Sequence, residues 1–431
     1  MVFVSDLRRL ILFAAISVVV KGDFVPPPLK DTPPVPDGSS SPEIELIKRF
    51  VLPNPEDVAV DPTETYFVTG ARNGYVYKVD IASGFYELIF GPKDFRPEFF
   101  ANSTDEEIRA LCDGSDEATC GSVLGIKFEF DSTTNSCKSI WLANAYFGIF
   151  EGSCSEPYTL ERRIGIEGGF VNNLQPHGNH LYYTVSHSTK QRDQLPYVVL
   201  DDDAPGGTLH RLDTSNNYEM EELASGIYFA NGLAASTDGL SIYVSETSGA
   251  RIRRYEIETG ILKPFLDDIP VLTDNILVQD GDLLVPGYTR NATMEALMTN
   301  LTALEDFLAQ GPGVVGPAFS AMVAPHGNLL IYDEATGNLK ERIFQGSGGK
   351  FVRASSAHKL GDGYLVGSSF FPGATWFRLA PTDEESTETG DGSTEEEEEE
   401  VPSSAAKSHI GFMFLAAVVG AGATAMMLFF A

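Results

Sequence analysis

Between about residue 48 and residue 380 the chain alternates short apolar runs with polar turns. Runs of four to eight residues rich in Val, Ile, Tyr and Phe are broken by DG, NG, DP and GN pairs. DVAVDPTETYFVTGARNGYVYKVD, SIWLANAYFGIFEG, HLYYTVSH and LSIYVSETSGARIRRYEIE are examples, and each reads as strand, turn, strand. Helical spacing is sustained once, in EALMTNLTALEDFLAQG, where Leu297, Leu301, Leu304 and Leu308 share a face. This stripe predicts one short inserted helix whose leucines serve packing. Stacking the segments gives a unit that begins near 55, 123, 170, 230, 273 and 352. Six such units predict an all-β, six-bladed β-propeller. A parallel α/β sheet needs a helix after each strand, and none is seen.

The flanks differ in kind from this body. Residues 1–22 carry Arg8 and Arg9, an apolar run from Leu10 to Val20 and the small-residue context Val20-Lys21-Gly22, the pattern of a signal peptide. An uncleaved N-terminal anchor is the alternative. Residues 23–47 form a Pro/Ser-rich linker, and 48–381 the propeller. Residues 382–409 form an acidic stalk containing the unbroken run Glu395 to Glu400, whose like charges oppose packing. Residues 410–431 are uncharged and apolar, read as a GPI-attachment signal or a transmembrane segment. Asn102, Asn291 and Asn300 begin N-glycosylation sequons. Together these features predict a secretory route and a domain at the cell surface, held to the membrane through its C-terminal segment.

Composition narrows the chemistry. Lys+Arg 30 against Asp+Glu 61 gives a formal net charge of −31, which opposes nucleic-acid binding. Four cysteines, Cys112, Cys120, Cys137 and Cys154, lie close together without a CxxC pair, so disulfides are expected and a zinc site is not. Cys137 and Cys154 flank SIWLANAYFGIF almost symmetrically, as a cross-strand staple would require. No Walker or G-x-S-x-G motif occurs, which leaves Ser186-His187-Ser188 a weak candidate nucleophile.

The blocks PEDVAVDP (55–62), CGSVLGIKFEF (120–130), FVNNL (170–174), GTLHRLD (207–213), FANGLAASTDG (229–239), TDNILV (273–278) and GYLVGSS (363–369) occur in an order that resembles the strictosidine synthase-like family. That family lies within the six-bladed propeller superfamily of gluconolactonases, regucalcin and paraoxonases. The resemblance pairs Cys112 with Cys120 in a loop before the second blade. It also implies a Ca²⁺ site at the mouth of the central channel, made by Glu56, Asn172, Asn231 and Asp274, with Asn275 joining them. Two carboxylates and two or three amide oxygens suit a hard cation that takes 6–8 oxygen ligands. Taken singly, Asn231-Gly232 reads as a turn dipeptide and Glu56 as a solvated acid. In hydrolase relatives such an ion polarises an ester or lactone carbonyl, which makes Asp274 the candidate base and Glu56 chiefly a ligand. His358, in the last blade, is the histidine expected nearest the channel and a candidate proton shuttle.

Departures from the relatives narrow the activity. The paraoxonase-type histidine falls at Leu124, and the gluconolactonase-type arginine at Phe170. Ser355 and Ser356 stand where a strictosidine synthase carries its acid. The expected function is therefore a calcium-dependent hydrolase of mostly apolar esters or lactones. A non-catalytic, calcium-stabilised binding propeller is the alternative, and a condensing enzyme fits less well.

Overall fold

A recurring local device closes the hairpins. At the end of a strand an aspartate turns its carboxylate back onto the amides of the following turn, as Asp61 does to Thr65 and Tyr66, both at 2.8 Å. Asp80 does the same to Ser83 at 2.7 Å, Asp213 to Ser215 at 2.9 Å and Asp333 to Thr336 at 2.9 Å. Short polar side chains that capture their own backbone fix turn and register together.

The computed structural model describes residues 41–381 apart from 114–116, 132, 135, 167, 201–204, 299 and 324. The signal peptide, most of the Pro/Ser-rich linker, the acidic stalk from residue 382 and the apolar C-terminal segment lie outside the described residues. Among the described residues no helix is long and apolar enough to cross a membrane.

The hairpins build six antiparallel sheets in a six-bladed β-propeller. The innermost strands are Pro55–Val60, Val123–Phe130, Phe170–His177, Ala230–Ala235, Leu272–Thr273 continued by Leu277–Gln279, and Ser356–Leu360. Their starts follow the six units read from the pattern. The ring closes where Ile44–Phe50 pairs antiparallel with Ala374–Leu379, so the N-terminal strand supplies the outer edge of the last blade. The folded body therefore starts at Ile44, slightly ahead of the expected boundary at 48. The core lies largely between blades, as where Val68, Val76 and Phe90 of the first meet Ile126, Leu142 and Phe150 of the second. Near the axis neighbouring backbones nearly touch. A Cβ on Gly232 would fall 2.4 Å from the Ile276 amide nitrogen, so glycine is required there. Asn231-Gly232 is thus part of a central strand and not a turn.

Both disulfides form as expected. Cys112–Cys120 has Cα atoms 5.6 Å apart, and Cys137–Cys154 has them 6.1 Å apart.

Helix is more plentiful than the single insertion expected. Residues 91–122 carry short helices ahead of the second blade, and residues 188–206 carry Leu195–Leu200. The leucine-striped segment forms three helices, Ala292–Met298, Leu301–Leu308 and Pro312–Met322. The stripe breaks because Asn300 acts as an N-cap, its Oδ1 accepting from the Ala303 amide at 3.1 Å. Leu304 is buried, and Leu297 and Leu308 pack against the same cluster, so the leucines do serve packing. Two of the three sequon asparagines, Asn102 and Asn300, are exposed, whereas Asn291 is partly buried and its Oδ1 accepts from the Thr293 and Met294 amides.

Candidate functional site

Regular strands alternate their side chains, yet these inner strands turn two consecutive polar residues toward the axis. The register slips between Pro55 and Val58, between Val171 and Leu174, and between Ala230 and Leu233. In the fifth blade the strand is interrupted after Thr273. Bulges of this kind re-aim side chains near functional sites. The pairs Glu56-Asp57, Asn172-Asn173 and Asp274-Asn275 consequently form two stacked polar layers.

The upper layer contains Glu56, Asn172, Asn231 and Asp274, which border one cavity of about 40 Å³, room for an ion and a water or two. Asn172 donates from Nδ2 to Ser186 Oγ at 2.9 Å, and Ser186 in turn donates to the Ala230 carbonyl. Asn231 donates to Thr247 Oγ1 at 2.9 Å, and Thr247 to the Thr273 carbonyl at 2.7 Å. With their nitrogens engaged, the amides leave their oxygens toward the cavity. Asn231 Oδ1 and Glu56 Oε2 are both buried without a hydrogen-bond partner. Orphaned acceptors of this sort are costly unless something positive meets them. Burial raises the Glu56 carboxyl against the pull of Arg192 and Arg72. Burial, then the charge of Glu56, raises Asp274 well above the ordinary aspartate range. The donor set is all oxygen, matching a hard cation. Among the described residues no group of three or more His, Cys, Asp or Glu gathers.

Asn275 belongs to the lower layer. Its Oδ1 accepts from Asn173 Nδ2 at 2.6 Å, and its own Nδ2 reaches the Leu124 carbonyl at 3.4 Å. Asn173 also donates to Asp57 Oδ2 at 3.2 Å, and Asp57 pairs with Lys127 Nζ at 3.0 Å. This buried network plugs the channel beneath the cavity. His358 stands on the far side, at the opposite mouth, in an opening of about 610 Å³ shared with Lys127, Gln175 and His177. Its Nδ1 lies 2.7 Å from the Lys359 carbonyl, and burial pushes its pKa down to about 4. The structure therefore does not bring His358 to Asp274. Ser186 is buried as the support of Asn172, and His187 Nδ1 accepts from the Thr189 and Lys190 amides.

Sequence reasoning missed several residues here. Tyr288 and Ser369 border the cavity with their hydroxyls 3.0 Å apart, and Arg192 enters from the 188–206 insertion. The polar pairs were visible as breaks in otherwise apolar strands. Arg192 stands in a loop, where no periodicity points to it. Above the polar floor the two insertions supply an apolar cover, in which Val198, Val199, Phe319 and Val323 pack with Phe170, Phe229 and Leu272.

Residues 172–259, a stretch that includes Asn172 and Asn231, match the strictosidine synthase family. The chain is 29% identical over 275 residues to the adipocyte plasma membrane-associated protein of Gallus gallus, across 59% of this chain and 62% of that protein. It is 25% identical over 382 residues to strictosidine synthase-like protein 10 of Arabidopsis thaliana, across 84% of this chain and 95% of that one. The chain spans somewhat under two thirds of the first curated relatives it matches, 62% in the Gallus gallus case. A solved structure of regucalcin from Agrobacterium tumefaciens, described as a calcium-binding protein, aligns with a TM-score of 0.48 at 13% identity, over 78% of this chain and 94% of that one.

Proposed function

Taking the chain as a strictosidine synthase-like propeller, we propose that it is a calcium-dependent hydrolase of esters or lactones with a mostly apolar body. The observation that carries this reading is the pair of orphaned oxygens, Glu56 Oε2 and Asn231 Oδ1, facing a space bordered by Asp274 under an apolar cover. Glu56, Asn172, Asn231 and Asp274 would hold the ion, with water completing the 6–8 oxygens calcium takes. Bound there, calcium supplies Lewis-acid polarisation of the carbonyl oxygen. Asp274 takes a proton at its carboxylate from water as the water oxygen bonds to the carbonyl carbon. It returns that proton to the departing oxygen as the C–O bond breaks. Ser186 and Thr247 hold the amides in orientation, and the insertions exclude bulk water. The insertions must part to admit a substrate larger than the closed cavity.

The name of the Gallus gallus relative and the apolar segments at both ends of this chain support display at the cell surface. The test is turnover of a panel of aryl esters and lactones, with and without a calcium chelator. Chelator-sensitive hydrolysis that Asp274→Asn abolishes is the expected result. No turnover while calcium still raises the melting temperature would overturn the hydrolase reading and leave a calcium-stabilised binding propeller.

A further inference from the structure

Two acids are only part of the charge beneath the cover. Arg192 begins the single turn Arg192–Gln194, is 7% exposed, and borders the same cavity as Glu56 and Asp274. Among the described residues its guanidinium has one hydrogen-bond or ion-pair partner, Glu117, whose Oε2 lies 3.7 Å from Nε. The other oxygen of Glu117 takes Arg72 at 2.5 Å. Glu117 sits within the loop closed by Cys112–Cys120, so Arg192 is held by an acid on a covalently tied segment.

The charges can then be added. Glu117 and Arg72 cancel, which sets Arg192 against Glu56 and Asp274. With both acids ionised and no metal the cavity carries one net negative charge; with a divalent cation it carries one net positive charge. A buried charge without a counter-charge is strongly disfavoured. The loaded site is therefore one anion short, and the terminal nitrogens of Arg192 make no hydrogen bond to a described residue. A planar fork of donors fits a carboxylate.

We infer that Arg192 anchors the carboxylate of an apolar monoanion seated on the metal-loaded floor, with its tail between the two insertions. The inference rests on the calcium reading. The anion that reading itself supplies is the acid released when an ester or lactone opens, so Arg192 holds the product head group.

The experiment uses the full chain, titrated by calorimetry first with calcium and then, calcium-loaded, with 4-phenylbutyrate and its neutral isostere 4-phenylbutanamide. The acid is expected to bind about tenfold or more tighter than the amide, as a charge-assisted contact predicts. Arg192→Met should reduce the acid to the affinity of the amide, both measured on the calcium-saturated variant. Arg192→Lys, which keeps the charge and loses the fork, should fall between them. Equal binding of acid and amide by calcium-loaded wild type overturns the inference even if no variant folds. So does an Arg192→Met protein that binds the acid undiminished. A wild type that takes up no calcium overturns the calcium reading and this inference together, and the first titration shows which has failed.

Discussion

Lys127 shows how a single side chain preserves the site from below. Its ammonium lies against Asp57, which is 2% exposed and also accepts from the Ile126 amide at 3.1 Å. Removing one member of a buried pair leaves the other charge unmatched. Lys127→Met is accordingly expected to cost about 3–5 kcal/mol in chemical denaturation, with the double variant Lys127→Met/Asp57→Asn recovering part of that loss. Thr247 acts differently, since it borders the cavity and its hydroxyl orients Asn231. Thr247→Val keeps the shape and frees the amide to rotate. Calcium affinity measured by calorimetry should fall about 10–100-fold, the usual effect of losing a group that orients a ligand.

The two disulfides separate stability from function among the elements. Cys137–Cys154 closes 17 residues and Cys112–Cys120 closes 8, so loop entropy gives similar costs, about 3 and 2.5 kcal/mol. The first staples strand Cys137–Asn144 to the segment after Gly148–Gly152, away from the cavity; the second carries Glu117 and through it Arg192. Serine pairs at either bridge should lower stability about equally in urea, yet only loss of Cys112–Cys120 should weaken binding of the apolar acid. The strands themselves were legible, because alternation and turn chemistry recur six times with the same local cause. The four residues that border the cavity, Glu56, Asn172, Asn231 and Asp274, were legible together only through resemblance at equivalent places in successive units. Asn275 was misplaced because the inner strand is interrupted between Thr273 and Leu277, a break invisible to a two-residue period, and sends the neighbours of one polar pair to different layers. His358 was misplaced in depth. Ser355 Oγ meets the Glu56 carbonyl at 2.6 Å, and three residues further along a strand is about 10 Å down the channel.

Acid should unfold the whole molecule in two stages. Burial pushes His210 and His358 down to about 4, so between pH 6.5 and 4 these two groups lose stability as pH falls, against the raised carboxyls of Asp274 and Glu56, which take up protons first in the folded chain. Below that, Asp80, Asp213 and Asp333 are held under their ordinary range by the hydroxyls and amides of their turns, Asp333 down to about 2. Their contribution is present above about pH 4 and is lost as pH falls through those lowered values. His210 stacks on Tyr183 with centroids 4.9 Å apart, so His210→Phe should keep the packing and flatten the upper stage in urea titrations between pH 6.5 and 4. The closing strand has a mechanical consequence. Because Ala380 donates its amide to the Glu43 carbonyl at 2.8 Å, the polypeptide enters and leaves the ring at a single spot on the rim. The strand leading to that exit, Ala374–Leu379, is clasped on both sides, by Gly363–Gly367 and by Ile44–Phe50. Tension applied to the chain beyond Leu379 therefore has to break two ladders to draw the strand out, whereas an edge strand would peel from one, and the strand Ile44–Phe50 serves as the latch that lets the ring bear a load.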